Sequence, residues 1–71
     1  MSRMDEWGRT ARRLVLDERL TEEEREQQFV AEALLDLRRI VGVADAEQYS
    51  RAGSIAYSWQ GLARYWRKRA S

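Results

Sequence analysis

Apolar residues recur at helical spacing in three stretches of the chain. The longest stripe lies in the last third, at Ala52, Ile55, Ala56, Trp59, Leu62, Ala63, Trp66 and Ala70. At 100° per residue these positions fall within about 120°, the width of a stripe that faces a core. A second stripe, Phe29, Val30, Ala33, Leu34, Leu37, Ile40 and Val41, follows Thr21-Glu22-Glu23-Glu24. That tetrapeptide has the form of a capping box, in which the threonine hydroxyl accepts from the third helical N–H and Glu24 reaches back. It predicts a helix over 22–41, closed by a left-handed C-cap at Gly42, with Arg38 and Arg39 against the negative end of the dipole. The first stretch, Met4, Trp7, Ala11, Leu14 and Val15, predicts a helix from Ser2 to about Glu18, with Asp5 and Glu6 at its positive end. Gly8 weakens it, and Leu16 and Leu20 fall off its stripe.

The last third admits two patterns. Asp45-Ala46-Glu47-Gln48 repeats the N-cap logic, with Asp45 as the cap. A helix over 45–69 would be about 37 Å long against about 30 Å for 22–41. It therefore overhangs its neighbours or breaks at Gly53-Ser54. The competing pattern is the alternation of Ile55, Tyr57 and Trp59, in a stretch poor in strong helix formers where Gly53 suits the left-handed position of a hairpin loop. An eight-position stripe is harder to reach by chance than a three-position alternation, which favours helix. The expected fold is mainly α, a single small three-helix domain over 1–71 with segments near 3–18, 22–41 and 45–69. The alternative is two helices, a short β-hairpin at 48–58 and a C-terminal helix. The expected core is Trp7, Leu14, Phe29, Leu34, Leu37, Ile40, Ile55, Trp59, Leu62 and Trp66. Leu35 lies about 100° off its stripe, which a middle helix flanked on both sides would accommodate.

Composition narrows this picture. A chain of 71 residues removes only about 60% of its unfolded surface from water, so such domains often depend on a partner or on oligomerisation. An apolar content of 44% with three tryptophans argues for a folded chain over a disordered one. No run approaches the length of a membrane span and the N-terminus has no signal-peptide core, so the expected location is the cytoplasm or a virion, not the secreted space. The net charge of +1 conceals an asymmetry. Residues 21–48 carry three arginines against eight acids, whereas residues 49–71 carry five cations and no acid. Either the two segments attract each other or the last one meets an acidic partner.

Little in the chain suits catalysis. Without histidine or cysteine, the commonest general base and the commonest activated nucleophile are missing, and no serine or threonine has an evident activating base. Glu22, Glu23, Glu24 and Glu26 occupy the first turns of a helix, where dipole stabilisation explains them better than a metal site does. No glycine-rich phosphate loop is present. The expected protein is not an enzyme and has no catalytic residue, metal or cofactor.

Two surfaces carry functional expectations. If the last segment is helical, Gly53, Tyr57, Gly61, Arg64, Tyr65 and Lys68 group away from Trp59 and Trp66. Two glycines inside a helix cost about 1 kcal/mol each relative to alanine, so their grouping suggests close approach by another element. Tyrosine and arginine are enriched at binding hot spots. Tyr57, Gly61, Arg64, Tyr65 and Lys68 are therefore the candidate contact residues for a protein partner or a second copy. The alternative is a nucleic-acid contact through Arg51, Arg64, Arg67, Lys68 and Arg69, although four cations at a helix end also complement its dipole.

Tyr49-Ser50-Arg51-Ala52-Gly53-Ser54-Ile55-Ala56-Tyr57-Ser58, followed by Leu62 and Tyr65, resembles small bacteriophage head–tail joining proteins of the lambda W type. The likeness covers about twenty residues of common types. It implies the hairpin, a virion role in assembly and no catalysis. The N-terminal helix and the unbroken stripe through the hairpin region depart from it.

Overall fold

The computed structural model describes residues 3–70. Four helices follow one another, α1 (Arg3–Val15), α2 (Glu22–Val41), α3 (Val43–Arg51) and α4 (Ser54–Ala70), with no strand among the described residues. The mainly α expectation holds. The hairpin at 48–58 does not form, because those residues end α3, turn, and begin α4. The third segment takes the break at Gly53. The Ala52 N–H donates to the Gln48 carbonyl at 3.0 Å and the Gly53 N–H to Ser50 at 3.1 Å. Gly53 then adopts φ +77°, a left-handed value that no continuous right-handed helix contains and that glycine takes without a Cβ clash.

The other helix ends show what the residues can and cannot specify. The capping box at Thr21 is complete, with the Glu24 N–H on the threonine hydroxyl and the Thr21 N–H on the Glu24 carboxylate. Gly42 has the expected positive φ of 92°, but its ψ of 165° is extended, in a region open almost only to glycine. This residue ends α2 and also serves as the N-cap of α3. The chain re-enters a helix at once, so Asp45 lies inside the first turn of α3 and does not cap it.

The first helix stops at Val15, short of Glu18, and no glycine follows it. Its end is braced from outside by Arg25. The Arg25 Nε donates to the Leu14 carbonyl at 2.9 Å, Nη2 to the Asp17 carbonyl at 2.8 Å, and Nη1 to Glu22. The Leu14 carbonyl also accepts from the Asp17 N–H and the Asp17 carbonyl from the Leu20 N–H, both at 3.3 Å, so Arg25 adds charged donors to turns that the backbone already closes. The Asp17 side chain folds the loop by accepting from both the backbone and the guanidinium of Arg19, and that side-chain bond holds its carboxyl below the ordinary value.

Ring and side-chain pairings fix the helix directions. Trp7 meets Asp36 and Arg13 meets Glu32, so α1 and α2 are antiparallel. Arg67 ion-pairs with Glu22, so α4 also opposes α2. Asp5 lies beside Leu62 and Arg12 beside Trp66 and Arg69, so α1 and α4 run the same way. The core is Ala11, Leu14, Phe29, Ala33, Leu37, Ala46, Ile55, Trp59 and Ala63. Trp7, Leu34, Leu62 and Trp66 pack against it half-buried.

Two expectations fail. Ile40 is 54% exposed and Leu35 53% exposed. The buried positions of α2 are Phe29, Ala33 and Leu37, a narrow i, i+4 row, and Leu35 points well outside it. Ile40 lies a full turn beyond Asp36, the residue level with Trp7, where α1 is running out. The stripe position of Met4 concerns a side chain outside the described ones.

Replacing Arg25 by alanine should cost about 2 kcal/mol, since it removes the bonds that a charged donor makes to two backbone carbonyls, and thermal unfolding measures it. Acid should weaken the α2 start. The Thr21 N–H bond holds the Glu24 carboxyl below its ordinary value. A depressed folded pKa gives stability that is present above about pH 4.5 and lost as pH falls through the folded value. Glu24→Gln should flatten that part of the stability–pH curve.

Candidate functional site

Helix α4 commits one side to the core, through Ile55, Trp59 and Ala63. At 100° per residue, Tyr57, Gly61, Arg64 and Lys68 lie within about 60° of one another on the opposite side, with Tyr65 about 40° further round. All five are exposed, Tyr57 at 79% and Tyr65 at 47%. A Cβ built on Gly61 meets no atom within 4 Å, so neither packing nor backbone conformation demands glycine there. Gly53, which the sequence grouped with this face, belongs instead to the turn before α4 and is explained by its φ.

The two edges of the face differ. On the α2 side, Arg64 lines a depression of about 560 Å³ with Gln60 and the α2 acids Glu22, Glu23 and Glu26. On the α1 side, the Tyr65 ring stands edge-on to Trp66 with centroids 5.0 Å apart, and the Arg69 guanidinium lies 4.7 Å over the Tyr65 ring. Arg12 of α1 covers the Trp66 ring at 5.7 Å. The result is a crest of Tyr57, Gly61 and Lys68 between an edge shared with α2 carboxylates and an edge built of stacked cations and rings.

The structure therefore brings the five protein-contact candidates onto one side of one helix. It does not bring the five nucleic-acid candidates together. Arg51 ends α3 beyond the Gly53 turn, roughly 20 Å along the helix from Lys68. Arg67 is paired with Glu22 and Arg69 is stacked on Tyr65. The attraction expected between the acidic middle and the basic end is realised at the Glu22–Arg67 contact.

The carboxylates at the start of α2 are engaged locally, Glu22 with Arg25 and Arg67 and Glu24 with Thr21. No group of His, Cys, Asp and Glu among the described residues could hold a metal ion.

Two features escaped the sequence reading. Between α1 and α4 runs a groove lined by Gly8, Arg9, Leu62, Tyr65 and Trp66. Its one signal was Gly8, which reads as a weak point in a helix until the neighbouring helix is in place. The second is an exposed apolar corner at Ile40 and Val43 where α2 passes into α3, hidden by the misplaced start of α3.

No family model matches the chain, and no curated protein or solved structure was found that is similar to it.

Because a methyl group at position 61 has open space and helix interiors favour alanine over glycine, Gly61→Ala should stabilise the protein by about 1 kcal/mol. That corresponds to a rise in Tm of roughly 4–8 °C for a domain of this size. A fall in Tm would mean that the glycine serves the fold.

Proposed function

We propose that this chain is a small non-enzymatic adaptor or assembly protein, acting through protein–protein contacts made by the outer side of α4. The observation that carries the reading is the exposure of Tyr57 and Tyr65 on either side of open Gly61, on a helix whose other side is occupied by the core. Large rings held at the surface are costly in water and productive at interfaces, where tyrosine offers contact area for little conformational entropy. A glycine between them lets a second backbone approach closely.

The partner in this reading is another protein or a second copy of the chain, in the cytoplasm or a virion. Head–tail joining in a phage is one specific form of such assembly. The resemblance behind it implied a hairpin where the chain forms two helices, so that form is supported by residue types in Tyr49–Ser58 alone. A nucleic-acid role has less support, since Arg67 is paired with Glu22 and Arg51 stands apart on α3. No helix among the described residues is long and apolar enough to cross a membrane.

Light scattering after size exclusion, across a concentration range, tests the self-association branch. The expected result is an oligomer that Gly61→Arg and Tyr57→Ala each dissociate while helicity is unchanged. Moderate salt should have little effect, whereas a phosphate-driven complex loses affinity steeply with salt. An oligomer untouched by both substitutions would overturn the assignment of this face.

A further inference from the structure

We infer that the groove between α1 and α4 is a second docking site, shaped for an acidic amphipathic helix of a partner protein. The inference rests on the adaptor reading and names its partner class. Two depressions, of about 380 and 190 Å³, share Trp66 and run along the seam between the parallel helices. Leu62 and Trp66 are half-buried along it, and Leu16, 50% exposed, stands at its far end. Gly8 keeps the α1 wall low, since a Cβ there would meet nothing within 4 Å. From Asp5 to Leu16 the seam is roughly 16 Å long, three helical turns. That length suits the i, i+4, i+7 apolar anchors of an amphipathic helix laid in a groove.

Charge selects the helix. The residues lining the two depressions include Arg9, Arg12 and Arg69 against a single acid, Asp5. The Arg12 guanidinium sits over the Trp66 ring, 5.7 Å from its centroid, and that of Arg69 over the Tyr65 ring at 4.7 Å. A cation–π contact of this kind uses the charge and not the N–H donors, and those donors fit a carboxylate in a two-point geometry. The same stacking disfavours a nucleic acid, because one face of each ring is already covered by an arginine where a base would stack. An apolar floor of Leu16, Leu62 and Trp66 with a cationic rim fits leucine anchors flanked by glutamates.

The test is fluorescence anisotropy with a labelled helical peptide of roughly four turns carrying Leu at i, i+4 and i+7 with Glu between. Its Gln-for-Glu analogue and a labelled oligothymidylate are the comparison probes. Gly8→Leu replaces a poor helix former with a good one while filling the groove, so the fold should be kept, which circular dichroism verifies. The expected result is binding of the Glu peptide, weakened roughly tenfold or more by Gly8→Leu, by Arg12→Gln with Arg69→Gln, and by the Gln analogue. Failure of the wild-type protein to bind the Glu peptide, equal affinity of the Gly8→Leu variant, or tighter binding of oligothymidylate would each overturn the proposal. Gly61 lies off the groove. Dissociation of an oligomer by Gly61→Arg, with no peptide bound, would refute the groove and leave the adaptor reading standing; failure of both would refute both.

Discussion

The Phe29 ring lies 5.9 Å from that of Trp7 and 5.3 Å from that of Trp59, so one side chain of α2 touches α1 and α4 together. Phe29 is 1% exposed and is among the largest fully buried side chains. Half of the remaining buried core is alanine, Ala11, Ala33, Ala46 and Ala63. Small residues let the helices approach closely, but they bury little apolar area each. A domain of this length has about 4–10 kcal/mol of stability in total, and truncating a buried Phe costs about 3–5 kcal/mol. The packing of α1 and α4 on α2, and with it the outer side of α4 and the α1–α4 groove, thus depends on this aromatic contact.

The acidic start of α2 adds a second link about two turns before Phe29. Glu22 meets both Arg25 and Arg67, and Arg25 braces the end of α1. One carboxylate thereby joins the end of α4 to the loop after α1. The arginines on that end differ in role. Arg67 serves the fold, Arg12 and Arg69 lie over rings, and Arg64 borders the exposed crest. A count of cations at the C-terminus could not separate these roles, because they depend on which helix lies beside each residue.

Local chemistry was legible in the residues wherever the signal was itself local. The Thr21-Glu24 box, the positive φ at Gly42, the break at Gly53 and the buried stripe of Ile55, Trp59 and Ala63 all follow from short-range pattern. Features set by neighbours were not. Ile40 sits within its stripe and is exposed because the bundle ends there. Arg25, in the first turn of α2, braces the end of another helix, which no local pattern signals. Ala46 reads as part of a cap and is buried completely. For the candidate site, the Tyr57–Gly61–Lys68 crest was legible once α4 was helical, whereas the α1–α4 groove required knowing that those two helices are parallel neighbours.

The central claim, that one aromatic contact joins α1, α2 and α4 in a single cooperative unit, is tested most directly by unfolding Phe29→Ala. Far-UV circular dichroism reports the helices and near-UV dichroism the tryptophans. The account predicts that both signals are lost together, at a midpoint lowered by the equivalent of about 3–5 kcal/mol. Retention of most helicity at the wild-type midpoint, with only the tryptophan signal changed, would contradict it.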